Sequence, residues 1–247
     1  MANRLGHRCI MGLVVPSVNT TMQPECEALR PVGVTNQVSR FLVNNVALQN
    51  ASDFDVMMKA MPREIEPAVE MIATCNPNHI IVGVSTDSMP NAFTLTQELK
   101  TRFEEQSQCN ITMATDACVE ALRALKGKRL GIISPYLLEP SKRASDFFSE
   151  QGFEVINHKP IISSDPLKFA EVTENTVFST LDEVDDDKVD VLFQIGTNLS
   201  TAFMATEIEQ RYSKPFISVN IATYWSALRS VGINDKASGF GLLLEQH

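Results

Sequence analysis

Four short polar segments in this 247-residue chain have the residue types that hold a small anion. They are Pro16-Ser17-Val18-Asn19-Thr20-Thr21, Ser85-Thr86-Asp87-Ser88, Ser134-Pro135-Tyr136 and Gly196-Thr197-Asn198-Leu199-Ser200-Thr201. Hydroxyls and amides donate hydrogen bonds to a carboxylate. Each segment precedes a helical pattern, where free backbone N–H groups add donors of the same kind. Such a site holds a carboxylate without an Arg or Lys. Ser, Thr, Asn and Asp are also the usual helix caps, so any one segment alone reads best as a cap. Four of them at equivalent places favour a shared site.

Few side chains in these segments can move a proton. Asp87 is a general base if it is desolvated, and otherwise the cap of the next helix. Tyr136 can donate a proton. Ser85 can act as a nucleophile only with a base beside it, and no His stands in a motif to activate it. The five cysteines, Cys9, Cys26, Cys75, Cys109 and Cys118, form no CxxC pair and read as free thiols. Cys26 is the only one placed to approach the segments. Cys75 and Cys118 read as buried structural thiols, and Cys9 lies at the wrong end of its strand. The four histidines are too scattered for a local metal motif.

The elements that must position these segments follow from periodicity. Apolar runs at 9–15, 79–84, 129–134, 189–195 and 215–219 have the length of strands buried on both faces of a parallel sheet. Residues 41–46 and 153–156 read as further strands. Helical spacing covers 54–73, 92–106, 117–125, 141–151, 165–181, 200–212 and 221–231. Pro62 and Pro67 suggest that the first of these breaks into two. Met57, Met58, Met61 and Met71 read as core or interface filling, and Trp225 as packing. The alternation predicts an α/β fold with parallel sheets, in which ligands bind beyond the carboxyl ends of the strands. A weak internal echo predicts two pseudo-symmetric half-domains. Residues 1–120 with a returning segment at about 221–247 form the first, and 121–220 the second, with the site between them.

Composition narrows the function. A net charge of −9 argues against nucleic acid, which needs a surplus of Lys and Arg. No apolar run approaches the roughly 18 residues of a membrane span, and 10–15 is too short for a signal core. The expectation is a cytoplasmic protein that contacts no membrane.

Taken in order, the motifs resemble those of the maleate isomerase and arylmalonate decarboxylase branch of the aspartate/glutamate racemase superfamily. PSVNTTMQPE resembles that branch's opening turn, SPY its Thr-Pro-Tyr, IGTNLST its Ser-Cys-Thr-Asn-Leu-Arg-Thr, and SVNIATYWSALR its Ser-Asn-Gln-Ala-Thr-Leu-Trp. The resemblance runs from about residue 10 to 230. It implies a racemase-like fold of two parallel-sheet halves, no metal, no organic cofactor and a homodimer or larger assembly. It also implies a carboxylate contact at Asn19 and a dioxyanion hole from Ser85, Thr86 and Tyr136. Gly196, Thr197 and Asn198 would close the second half. Two catalytic cysteines define much of the superfamily. In this chain their positions hold Val84 and Gly196.

The expected function is therefore a cofactor-independent isomerase or lyase on a small carboxylic or dicarboxylic acid. Asp87 and Tyr136 would carry the proton chemistry. A hydrolase or hydratase that positions water in the room left by Gly196 is an alternative. So is a relative that binds carboxylates without chemistry.

Overall fold

The computed structural model describes residues 4–44 and 48–247. Its first sheet is built from β1 (Cys9–Pro16), β2 (Val34–Phe41), β3 (His79–Val82) and β4 (Ile111–Met113), all parallel, in the order β2-β1-β3-β4. Helices α1 (Met22–Leu29), α2 (Ala51–Ala73), α3 (Ala92–Ser107) and α4 (Ala114–Ala124) connect and follow them. The second sheet repeats the plan. β5 (Arg129–Ser134), β6 (Glu154–Pro160), β7 (Val191–Gln194) and β8 (Phe216–Ser218) stand in the order β6-β5-β7-β8, again parallel. The fold is α/β with two parallel-sheet halves of the same strand order.

Helices α5 (Leu138–Glu150), α6 (Glu174–Val184) and α7 (Ala205–Tyr212) belong to the second sheet. α8 (Val219–Ser230) leaves β8 directly, as α4 leaves β4. It packs on α4, α1, β3 and β4, and so lies against the first half. The short α9 (Leu242–Gln246) packs on α8. Among the described residues no helix is long and apolar enough to cross a membrane.

The central strands β3 and β7 are buried at every position. Each buried Val, Ile or Leu contributes about 1.5–3 kcal/mol, and this is why the apolar runs settle in the middle of each sheet. The edges were harder to read from sequence. A strand was expected at 41–46, but β2 ends at Phe41 and pairs with β1 from Cys9↔Val34 to Pro16↔Phe41. Its residues VTNQVSRF carry no continuous apolar run, because one side of an edge strand stays wet. Residues 45–46 of the expected strand lie outside the described residues. β4, only Ile111-Thr112-Met113, is too short for a periodic signal.

Two helices also differ from expectation. α2 does not break at Pro62 or Pro67; it is one helix of 23 residues. An interior proline costs about 3 kcal/mol. Phe54, Met58, Met61, Ile65, Val69 and Ile72 form a buried stripe on both sides of the prolines that offsets it. The helix expected at 165–181 is two pieces. A 3-10 turn at Pro166–Glu171 begins where the Asp165 side chain accepts from Leu167 N–H. α6 begins again where Thr173 accepts from Thr176 N–H. Two caps in one segment start two helices.

Candidate active site

The polar segments lie at the carboxyl ends of β1, β3, β5 and β7, which face one another across the two halves. There they enclose a cavity of about 70 Å³, room for a few waters or a small acid. Asn19, Ser85, Tyr136, Gly196, Thr197 and Asn198 line it, and so does Val84. No Lys, Arg or His stands among the lining residues. Thr86 and Asp87 are not brought to it. Thr86 points into a buried hydroxyl cluster, with Oγ1 2.5 Å from Thr96 Oγ1 and 2.9 Å from Thr115 Oγ1. Asp87 is fully buried and does not line the cavity.

The opposite wall was not foreseen. Phe54, Met57, Met58 and Met61 of α2 and Phe169 of the second half line the cavity. The three methionines were expected only to fill space in the core or an interface, and Met71, at the far end of α2, is exposed. The site is therefore half polar turn and half apolar helix, and only the polar half carries a motif.

Hydrogen bonds across the site join the two halves. Asn19 Nδ2 donates to Thr197 Oγ1 at 3.1 Å, while Asn19 Oδ1 accepts from Thr21 and Met22 N–H and so caps α1. Thr197 Oγ1 donates to Gly83 O at 3.2 Å. Asn198 is used at both ends. Its Oδ1 accepts from Thr20 N–H at 2.9 Å, and its Nδ2 donates to Pro166 O at 2.9 Å. Asn19 thus keeps one amide hydrogen for a ligand, whereas Asn198 serves chiefly as a clamp.

Other groups that hold the site gave no sequence signal. Glu25 on α1 is buried and accepts from Ser200 Oγ, Thr201 N, Ala202 N and Asn220 Nδ2. Burial raises its carboxyl, and these four donors oppose the shift. Arg143 on α5 donates to Ser88 O at 2.7 Å and to Asp55 on α2 at 2.6 Å. In the second half, Ser134 bonds Ser141, which bonds His158 Nε2, and this chain holds the turn that carries Tyr136. An acid in the first turn of a helix reads in sequence as a dipole partner. Only the tertiary structure shows what Glu25 receives.

Gly196 has φ +97°, a conformation that L side chains rarely adopt. A Cβ there would come 2.6 Å from Pro135 Cδ and 2.7 Å from its Cγ, with Tyr136 Oη 3.4 Å away. The Pro135 ring therefore lies where a side chain at 196 would begin, while Gly196 itself lines the cavity. Tyr136 is held by Phe54 and Phe169, at ring centroid distances of 5.5 and 6.1 Å. Burial pushes its phenol well above the ordinary value, and the charge of Asp87 adds to this, while Ser85 beside it opposes. The phenol is therefore neutral and a donor.

Asp87 is fully buried, and neither carboxylate oxygen has a hydrogen-bond partner. Burial raises it to about 7, opposed only by the nearby Ser88 amide. It does not cap α3, which starts at Ala92 after Asn91. The Ser88 hydroxyl is also buried without a partner. Two unpartnered polar side chains next to each other in one loop are an exception that calls for a functional reason.

All five cysteines are free, and none lines the cavity. Cys26 and Cys118 are fully buried, with thiols pushed well above the usual value by burial. Cys75, expected to be buried, is exposed, because it follows the end of α2.

Comparison with known proteins agrees with this geometry. The chain is 24% identical over 249 residues to the maleate isomerase of Pseudomonas putida, covering 95% of this chain and 96% of the relative. It is 23% identical to the Nocardia farcinica maleate isomerase, covering 96% and 95%. The solved Nocardia farcinica maleate cis-trans isomerase bound to TRIS superposes with a TM-score of 0.84 at 22% identity, covering 96% of this chain and 98% of that one. A liganded arylmalonate decarboxylase variant superposes with a TM-score of 0.81 at 17% identity, covering 96% and 99%. The family profile for arylmalonate decarboxylase matches residues 11–244, nearly the whole chain, and the protein belongs to that family.

Proposed function

We propose that this protein is a cofactor-independent lyase or isomerase of a small carboxylic acid, in which the Tyr136 phenol does the work of the missing thiol. One observation carries the reading. Tyr136 Oη stands 3.4 Å from the point where a Cβ on residue 196 would begin a cysteine side chain. A solved Nocardia farcinica maleate cis-trans isomerase in which one cysteine is replaced by serine carries a covalent succinylcysteine intermediate at another cysteine. In this chain no thiol lines the cavity, and a phenol stands beside Gly196, one of the two positions at which the resemblance expects a thiol.

The carboxylate would sit against Asn19, Ser85 and Thr197, within reach of backbone N–H groups at 197 and 198. Donors aimed at the carboxylate stabilise the enediolate that forms when an α-carbon loses carbon dioxide or a proton. In the decarboxylation form, the C–C bond breaks and its electron pair enters the remaining carboxylate. Tyr136 then gives its proton to the α-carbon. A phenol raised by burial yields its proton only to a strong base, and an enediolate carbon is one. Asp87, poised near neutrality behind Tyr136 and Ser85, would restore the proton. Val84 supports the lyase form, because the opposite face then carries no group that adds to a double bond.

Incubation with maleate and aryl-malonates in D₂O, followed by NMR, tests this. Deuterium at the α-carbon of product, lost in Tyr136→Phe and kept after thiol alkylation, is the expected result. Ligand binding with no turnover or exchange across the panel would sink it, leaving a carboxylate binder.

A further inference from the structure

Two of the five cysteines stand in matching places, at the end of the first sheet away from the cavity. Cys75 is in the turn between α2 and β3, and Cys109 is in the turn between α3 and β4. The strands they lead into are neighbours, paired from Ile80↔Ile111. The helices they leave are neighbours too. Glu66 O on α2 accepts from Gln106 Nε2 on α3 at 3.0 Å, and the Glu66 carboxylate pairs with Arg102. Cys109 Sγ donates to Pro77 O at 3.5 Å, and Pro77 lies in the same turn as Cys75. Cys75 Sγ donates to Ile72 O at 3.0 Å. A thiol is a weak donor, so these bonds do little to hold the sulfurs in place. Burial raises the Cys109 thiol, and the charges of Glu104 and Cys75 add to the rise. The same two thiols are those that solvent reaches, because Cys9, Cys26 and Cys118 are buried.

We propose that Cys75 and Cys109 are a redox pair, which a peroxide closes into a reversible disulfide that ties the ends of α2 and α3 together. The Cys75 thiolate attacks the peroxide, becomes a sulfenic acid and releases hydroxide. The Cys109 thiolate then attacks that sulfur, the S–O bond breaks, and a second hydroxide leaves. The two thiols lose two electrons and two protons, and hydrogen peroxide becomes two waters. Cys9 cannot replace Cys75. It is buried on β1, and β3 stands between β1 and β4. Two strand spacings are about 9–10 Å, beyond the roughly 7 Å that a disulfide spans between Cα atoms. Burial also raises the Cys75 thiol, so the pair should close faster as pH rises. The bond acts on the foot of α2, whose other end carries Phe54, Met57, Met58 and Met61 to the cavity. It also closes the loop 75–109, which holds β3 and α3, and so restricts the unfolded chain.

Treatment of the full chain with hydrogen peroxide at about pH 8, then alkylation and digestion without reductant, tests the proposal without any ligand. Mass spectrometry should show the Cys75 peptide joined to the Cys109 peptide, in protein that runs as a single chain on a non-reducing denaturing gel. Dithiothreitol should separate them. The linked chain should melt about 5–10 °C above the reduced one, from the usual effect of closing a loop of this length. Cys75→Ser and Cys109→Ser should each abolish both the link and the gain. A Cys75 oxidised further with no partner, a link of Cys109 to Cys9, a link between two chains, or a linked chain that melts no higher than the reduced one overturns the proposal.

Discussion

Val84 and Gly196 stand at the same step of their two half-domains. Gly83 N–H donates to Val14 O at 2.9 Å, and Ile195 N–H donates to Ile133 O at 3.1 Å. The strands before them pair in matching register, Val82 with Val14 and Gln194 with Ile133. The next residue in each half is the one to which the resemblance assigns a thiol, and both line the cavity. One presents a branched apolar side chain and the other none, so the two sides of the cavity differ in chemistry.

A side chain at position 196 should be costly. Gly196→Cys meets the Pro135 ring and also requires φ near +97° of a residue with a Cβ. Overpacking costs about 1–3 kcal/mol and the backbone about as much again. We expect a loss of roughly 2–4 kcal/mol in urea unfolding, with no gain of thiol-dependent turnover. A Gly196→Cys protein as stable as the parent would show that Pro135 yields easily.

Tyr136→Phe removes one oxygen and keeps the ring contacts with Phe54 and Phe169. The fold should be retained, and the rate of α-proton delivery should fall about 10²- to 10⁴-fold, the range for loss of a positioned acid. Turnover by Tyr136→Phe within a factor of two of the parent would remove the phenol from the mechanism.

Asp87 makes stability depend on pH. Its folded value is about 7, above the ordinary 3.8, because of burial. Between these values the folded chain keeps a proton that the unfolded chain has lost. Stability therefore falls as pH rises from about 4 to about 7, by a few kcal/mol at most, and levels off above. Asp87→Asn has no such proton to lose. Its melting temperature should gain on the parent from pH 5 to about pH 7 and hold that lead above. Parallel pH profiles for the two proteins would refute the assignment.

Glu25 should act as a structural anchor of the site. Glu25→Ala leaves four donors without their acceptor, so about 3 kcal/mol of stability should be lost, and ligand affinity with it. Glu25→Gln keeps one acceptor oxygen and should cost less. Denaturant midpoints order the three proteins, and equal midpoints would contradict the anchor role.

Thiol reagents should leave the site untouched. Cys75 is exposed and Cys109 partly so, while Cys9, Cys26 and Cys118 are buried. Brief alkylation followed by peptide mass spectrometry should label Cys75 first, and ligand binding should persist. Inactivation that tracks labelling of Cys26 would overturn the thiol-free reading.

By itself the sequence determined the fold class and marked the polar half of the cavity lining. Residues in buried parallel strands must be continuously apolar, so 79–84 and 189–195 announce themselves, and so do the Ser, Thr and Asn turns that follow. Motif order then marked Asn19, Ser85, Tyr136, Gly196, Thr197 and Asn198. Only the tertiary structure decided the rest. The direction a side chain takes within a turn depends on partners distant in sequence. Thr86 turns to Thr96 and Thr115, and Asp87 is left buried without a partner. A methionine at helical spacing has the same pattern whether it faces a core or a cavity, so Met57, Met58 and Met61 carried no sign of the site. The meaning of Gly196 lay in its contacts. From the sequence it was a missing side chain, but in the fold the Pro135 ring stands where that side chain would begin.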